Sequence, residues 1–491
     1  MFCCFWKPVI MWLHILFYTI LALLVLLIVV LPLGILFLKF YVNKKRKYYY
    51  LLNNTNTVAF FHPYCNAGGG GERVLWTAVL ALLQKCPNYK IYIYTGDVDA
   101  SPSEITKRAH QRFNICIPEH AITFIYLYRR KFVEASLYPY FTLLGQSIGS
   151  MILGFEALLS FQPDIFIDTM GYAFTYPLFS YIGGCKVACY IHYPTITKEM
   201  LTRVARRVIT HNNSQRVANN PILTSFKLFY YKVFALLYSH VGKYSDIIMV
   251  NSSWTEEHIV QLWNCQLKTY KLYPPCDTED LKKITHTKTD GPVKIISVAQ
   301  FRPEKDHPLQ LRAMYQLRQI ISEAMWDNLK FIFIGSTRNE QDETCVKDMQ
   351  DLCKHLSLEN NVEFKVNLPY DDMKKEFGEG LIGLHAMWNE HFGIGVVECM
   401  AAGLIMIAHK SGGPKMDIVI EEPETCRNGF LACDEVEYAQ MIQLILHLSP
   451  ETKARISRAA VSSVDRFSNE EFKNGFLTFT QPLFKVLKKS S

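Results

Sequence analysis

From Pro8 to Leu38 the chain carries no Asp, Glu, Lys or Arg and is almost wholly Leu, Ile, Val and aromatic. About 20 apolar residues span a bilayer, and in hydrocarbon every backbone donor must be satisfied within the segment, so such a run is helical. A cleaved secretory signal would have an apolar region of about 7 to 15 residues and a small-residue cleavage site, neither of which is found here. Lys39 and the cluster Lys44, Lys45, Arg46 and Lys47 follow the run, whereas Lys7 alone precedes it. Residues 1–44 therefore read as a membrane anchor with a basic cytosolic flank, and the positive-inside bias puts the rest of the chain in the cytosol.

That topology fixes how two other features are read. The 14 cysteines are scattered, apart from Cys3-Cys4, without metal-ligand spacing, and in a reducing compartment they are expected to be free thiols. The sequons at Asn53, Asn212 and Asn251 matter only in the lumen, so they are expected to stay unmodified. The net charge of +7 suits a protein beside an anionic membrane face, but no dense basic run beyond 44–47 points to nucleic acid.

After the anchor, short β-branched and aromatic runs alternate with helical patterns and no hairpin turn joins them, which implies parallel sheets. Strands are expected at Thr57 to His62, Lys90 to Thr95, Asp164 to Asp168, Lys186 to His192 and Asp246 to Asn251. A second series follows at Lys294 to Phe301, Leu329 to Gly335, Asn361 to Val366, Gly380 to Met387 and Leu404 to His409. The fold class is thus α/β, with two Rossmann-like, doubly wound domains facing a cleft, at 56–285 and 292–465. Residues 466–491 read as a C-terminal helix packing back on the first domain. Ligands of such sheets bind beyond the carboxyl ends of the strands.

Three loops at those ends carry chemistry. Gly68, Gly69, Gly70 and Gly71 join a strand to the helix opening at Glu72; backbone amides there, with the helix dipole, make a phosphate site. No Gly-Lys-Ser/Thr follows, so this is not a Walker loop. His385 to Gly403 runs from a strand through a glycine loop into a helix, putting Glu390 in the loop and Glu398 about one turn inside the helix. Amides at Gly393, Ile394 and Gly395 can hold a diphosphate, and Glu398 can accept from ribose hydroxyls. Arg302 and Lys305 follow the first strand of the second domain, where positive charge would stabilise a departing nucleoside diphosphate.

Together these residues resemble the retaining glycosyltransferases of the two-domain GT-B fold, family four, over roughly residues 57 to 470. The resemblance implies catalytic or donor-contacting roles for Glu390, Arg302 and Lys305, donor binding by Glu398, Gly393, Ile394, Gly395 and Gly335, and phosphate binding by Gly68 to Gly71. It also implies front-face attack, with the leaving phosphate helping to deprotonate the acceptor. The chain departs from the family in carrying Gln300 where an arginine is usual, so giving that role to Arg302 assumes a shifted loop.

A narrower resemblance, to the α-1,2-mannosyltransferases of the dolichol pathway, is carried by HPYCNAGGGGERVLW, IDTMGYAF, YIHYPTI, VNSSWT, FRPEKDHPLQ and MWNEHFGIGVVECMAAG together with the anchor. It implies GDP-mannose as donor and a dolichyl-diphosphate oligosaccharide as acceptor, on the cytosolic face of the endoplasmic reticulum. Other mannosyltransferases of that pathway are implied partners.

Asp168 and His192 end strands and are expected to face the cleft, where His192 is a catalytic candidate that hydrogen-bonds the transferred sugar or shares in proton transfer, and Asp168, Tyr193 and Glu72 are expected on the acceptor side. Asp97-Val98-Asp99 imitates a metal motif, but such pairs are common turn chemistry and no metal or other cofactor is expected. Phe226, Phe229, Tyr230, Val233, Phe234, Leu237 and Val241 form a stripe at helical spacing within 224–242, the pattern of an interfacial helix and equally of a core helix. A catalytically silent membrane scaffold on the same fold is the alternative to an enzyme, and Glu390, Glu398 and the cationic loop argue against it.

Overall fold

The computed structural model describes residues 11–207 apart from 13, 16, 20, 23–24 and 54, residues 215–285, and residues 291–487. Cys3-Cys4, Lys7, the first residues of the apolar run at 8–10, the sequon at 212–214 and residues 488–491 lie outside the described residues.

Two all-parallel sheets organise the chain. The first contains β1 (Asn56–Phe61), β2 (Tyr89–Thr95), β3 (Ile122–Tyr126), β4 (Ile165–Asp168), β5 (Lys186–Ile191), β6 (Ile247–Val250) and β7 (Thr269–Lys271). The second contains β8 (Val293–Val298), β9 (Leu329–Gly335), β10 (Val362–Val366), β11 (Gly380–His385), β12 (Ile405–His409) and β13 (Gly429–Ala432). The helices that frame the cleft are α1 (Leu31–Asn53), α2 (Gly70–Lys85), α3 (Pro102–Phe113), α4 (Thr142–Ser160), α5 (Lys198–Ala205), α6 (Pro221–Gly242), α7 (His307–Ile320), α8 (Ile394–Ala401) and α9 (Asn469–Leu487).

Strand order is β3-β2-β1-β4-β5-β6-β7 in one sheet and β10-β9-β8-β11-β12-β13 in the other. Each order reverses once, between β1 and β4 and between β8 and β11, and a crevice opens at each reversal beyond the strand ends. The central strands are continuous apolar runs, as a sheet covered on both faces requires: Phe61, Phe166 and Val187 lie in one core layer, Phe60, Ile167 and Ala188 in the opposite one. Of the strands that the composition left unmarked, β3 and β7 lie at the edges of the first sheet and β13 at an edge of the second.

The chain crosses between the two sheets twice. After β13 it returns to the first sheet as α9, whose Phe472, Phe476, Leu483 and Phe484 complete the layer beneath α2. The two crossings meet where the Cys276 amide donates to the Phe467 carbonyl at 2.9 Å.

At the other end, α1 is fastened by its basic flank and by Ile35, Leu38 and Val42, which pack on the first domain's core. Arg46 pairs with Asp164 at 2.7 Å and donates to the Gly184 carbonyl at 3.0 Å, and Lys45 donates to the Leu159 carbonyl at 2.7 Å. Val42 is buried, but Phe37 and Phe40 stand 72% and 68% exposed, as do most of the described apolar residues that precede them. Helix α4 is also apolar and long enough to cross a bilayer, yet its Leu153, Ala157 and Leu158 belong to the core.

Helix α6 corrects the single-stripe expectation for 224–242. Phe234 is buried with Tyr231 and Tyr238 against the domain, and Tyr230 and Val241 pack on the same layer. Ile222, Phe226, Phe229, Val233 and Leu236 form a separate outward face. The helix is apolar on two sides because one seals the core and the other does not.

Candidate active site

The first crevice is built on His62, wholly buried at the end of β1. Its Nε2 lies 3.3 Å from Glu72 Oε1 and its Nδ1 2.7 Å from Thr169 Oγ1, so the imidazole ties β1 to the turn after β4 across the strand-order reversal. The carboxylate can only accept, which puts a proton on Nε2. The other Glu72 oxygen accepts from the Gly69 amide. Burial raises the Glu72 carboxyl, but the His62 contact and the Gly69 amide outweigh it and hold the group below its usual range. Glu72 is therefore the brace of the glycine loop, with both oxygens occupied.

That loop touches everything the cleft needs. A Cβ on Gly70 would strike Ile394 Cδ1 at 2.8 Å, one on Gly69 would lie 3.5 Å from Arg338 Nη2, and one on Gly71 3.5 Å from His192 Nε2. Three successive positions thus face a guanidinium of the second domain, the start of α8 and His192, and at Gly70 the approach of Ile394 leaves no room for a side chain.

In the second crevice Lys305, after β8, meets Glu390, after β11. Lys305 Nζ donates to Glu390 Oε2 at 2.5 Å, and His385 Nε2 reaches the same oxygen at 3.1 Å. Burial would raise the Glu390 carboxyl; the Lys305 charge and the His385 contact overcome that and hold it far below the carboxylate range. Gly393, at φ +114, turns the loop into α8 and its carbonyl takes the Val396 and Val397 amides. The first helix amides, at Ile394 and Gly395, stay outside the intrahelical pattern, where an anion would be received.

Glu398 lies apart from Glu390. Burial raises its carboxyl, Arg73 of the first domain lowers it, and Asp277 raises it again. Arg73 Nη2 is 3.9 Å from Asp277, and its buried Nη1 has no partner. A carboxyl and an unsatisfied guanidinium N–H side by side suit the vicinal hydroxyls of a ribose.

Other expected residues sit differently. Arg302 is held by Asp342 and Glu304, each at 3.8 Å. Gly335 lets β9 approach β8 closely, since a Cβ would meet the Ala299 carbonyl at 2.1 Å. Asp168 does not face the cleft: it is 0% exposed, accepting from the Tyr176 hydroxyl at 2.7 Å and the Met170 amide at 2.9 Å, and burial pushes its carboxyl up to about 6. It shapes the turn at Met170 to Tyr172, which lines the same cavity as Tyr193. Asp97 is occupied by Arg130 and the Asn66 amide.

His192 Nε2 donates to the Thr169 carbonyl at 3.0 Å, and burial lowers its pKa to about 4. Tyr193 stacks on His391, centroids 5.3 Å apart. Tyr193 and His391 line a cavity of about 580 Å³, together with Met170, Gly171, Glu199, Arg203 and Trp388 among others. Its walls come from both domains: Glu199 accepts from Asn389 Nδ2 at 2.6 Å, and Arg203 lies 3.8 Å over the Trp388 ring. Sequence reading missed His385, Arg73, Arg338 and Asp417. The first two stand inside the segments that it singled out; the last two gain meaning only from contacts across the cleft.

Residues 55–263 match the family described as ALG11 mannosyltransferase N-terminus, and residues 278–462 match glycosyl transferases group 1. Proteins named GDP-Man:Man(3)GlcNAc(2)-PP-Dol alpha-1,2-mannosyltransferase are 50% identical over 445 residues in Xenopus laevis, covering 90% of this chain and 91% of the relative. The Homo sapiens protein of that name is 51% identical over 430 residues, covering 87% of each. The chain belongs to this mannosyltransferase family. A Dictyostelium discoideum protein of the same name is 44% identical, with 87% of this chain and 85% of the relative covered. Solved structures share the fold alone: a Rickettsia africae glycosyltransferase and an Anabaena protein in complex with UDP and glucose each superpose with a TM-score of 0.58 at 16% identity, over 88% of this chain and 99% of theirs.

Proposed function

We propose that this chain is a retaining α-1,2-mannosyltransferase that transfers mannose from GDP-mannose to a dolichyl-diphosphate-linked oligosaccharide, adding its fourth and fifth mannoses. The carrying observation is the Lys305–Glu390–His385 cluster at the strand-order reversal of the second sheet, opposite the glycine loop of the first. In this reading Glu398 and Arg73 hold the ribose, and the Ile394 and Gly395 amides receive the diphosphate. As the bond from mannose C1 to the β-phosphate oxygen breaks, negative charge grows on that oxygen, and Lys305 stabilises it. The acceptor 2-hydroxyl attacks C1 from the same face and passes its proton to the departing phosphate. Glu390, ionised and locked by Lys305 and His385, orients the transferred sugar.

The apolar N-terminal helix lies in the membrane of the endoplasmic reticulum, and the ties of Lys45 and Arg46 to the first domain hold the cleft close to the cytosolic surface. The outward face of α6 rests on the same surface. Full-length protein in detergent, given GDP-mannose and a trimannosyl lipid diphosphate, should extend the lipid by two mannoses. Glu390→Gln should lower kcat by about 10²- to 10³-fold. No transfer by the unaltered chain from any nucleotide sugar would overturn the reading.

A further inference from the structure

We propose that Arg338, in the loop after β9, is the guanidinium that binds the donor diphosphate, in place of Arg302; this rests on the nucleotide-sugar reading above. Arg302 is already committed within its own domain, to Asp342 and Glu304. The Arg338 backbone amide donates to the other Asp342 oxygen at 2.9 Å, which fixes the loop. Its side chain reaches across the cleft, with Nη2 3.5 Å from the Cβ position of Gly69, and no carboxylate lies within ion-pair distance among the described residues.

A second free cation stands on the opposite flank. Arg112, from α3, brings its Nε 3.7 Å from the Cβ position of Gly68, and it too has no ion pair among the described residues. Burial lowers the Arg338 pKa, as do Arg302 and, less, Arg112; Glu72 and Asp342 oppose this from beyond ion-pair distance, and the net shift is downward. Positive charge is thus only partly offset at the glycine loop, and an anion bearing two or more negative charges relieves the most of the remaining repulsion. The next residue of the loop, Gly70, lies against Ile394 at the start of α8, so the guanidinium stands beside the amides assigned to the diphosphate. Its planar fork matches two phosphate oxygens, and its hold strengthens as charge builds on the leaving group.

The test uses full-length enzyme with Arg338→Ala, Arg338→Lys and Arg302→Ala, reading GDP affinity by calorimetry and KM for each substrate. Arg338→Ala should weaken GDP about tenfold or more and raise the GDP-mannose KM while leaving the acceptor KM unchanged, the loss of a charged hydrogen bond being of that size. Arg338→Lys should recover part of this, and Arg302→Ala should cost less. Unchanged GDP affinity in Arg338→Ala, or a larger loss in Arg302→Ala, would overturn the assignment. A rise confined to the acceptor KM would give the guanidinium to the lipid diphosphate instead and also overturn it. If the unaltered enzyme binds no GDP, it is the nucleotide-sugar reading that fails.

Discussion

His192 is neutral where the enzyme works. Its Nε2 proton is taken by the Thr169 carbonyl, which leaves Nδ1 unprotonated, as the proposed contact to a sugar hydroxyl requires. The sign of its linkage follows from the depressed pKa. The unfolded chain binds a proton near 6.5 and the folded chain only near 4, so stability should fall as pH drops through that window. Thermal unfolding between pH 4 and 7 should show this slope, and His192→Gln should flatten it; an unchanged slope would place the titration elsewhere. Strand-end position made both His192 and Asp168 legible as candidates, but alternation separates them. Asp168 shares a face with Phe166, and its carboxyl is swallowed with Tyr176 into that core layer, whereas His192 shares one with Tyr190 and emerges under the glycine loop. Glu390 and Lys305 were readable because each sits in its own diagnostic loop. Arg338 was not, since nothing local to it records the approach of Gly69.

At the scale of elements, helix α6 shows where periodicity runs out. Apolar residues mark both its faces, and no sequence pattern says which one meets the core. Ile222, Phe229 and Leu236 are 79%, 65% and 71% exposed, while Phe234 is 1% exposed. Phe141, ahead of α4, continues the outer face through ring contacts with Phe226 and Tyr230, 6.3 and 5.1 Å between centroids. Charge supports a lipid surface as its occupant: from 198 to 243, Lys198, Arg203, Arg206, Arg207, Arg216, Lys227, Lys232 and Lys243 face a single acid, Glu199, itself bonded to Asn389. Phe226→Glu with Phe229→Glu should raise the KM for acceptor carried in anionic vesicles several-fold and leave that for a short, soluble acceptor unchanged. Equal effects on both would tie the face to folding instead. Phe234→Ala, by contrast, should cost about 3 to 5 kcal/mol of stability.

For the whole molecule, the decisive arrangement is that the proposed site draws on both sheets, Lys305, Glu390 and Glu398 from one and Arg73 from the other, so activity is expected to depend on how those sheets are held. One side chain does much of this. Asp417, in the second domain and with its side chain 1% exposed, accepts from the Ser253 amide and hydroxyl at 2.8 and 2.6 Å and from the Tyr273 hydroxyl at 2.9 Å, with Lys271 at 3.6 Å. Removing it strands the Ser253 amide and two hydroxyl donors, worth about 1 to 3 kcal/mol against the closed form if they remain buried, whereas opening returns them to water; Lys271 keeps Ser253 Oγ, at 2.7 Å, and solvent. The crossings at Cys276 and Phe467 and the return of α9 keep the halves joined, so the expected consequence is a wider cleft rather than an unfolded domain. Asp417→Ala should therefore enlarge the radius of gyration measured by small-angle scattering without GDP, and saturating GDP should restore much of the compactness. The donor KM should rise with it, because part of the binding energy of the nucleotide is then spent on closure. If scattering and donor KM both match the unaltered protein, the clasp is incidental and the sheets are held by the loop contacts of Gly70, Glu199 and Tyr193 alone.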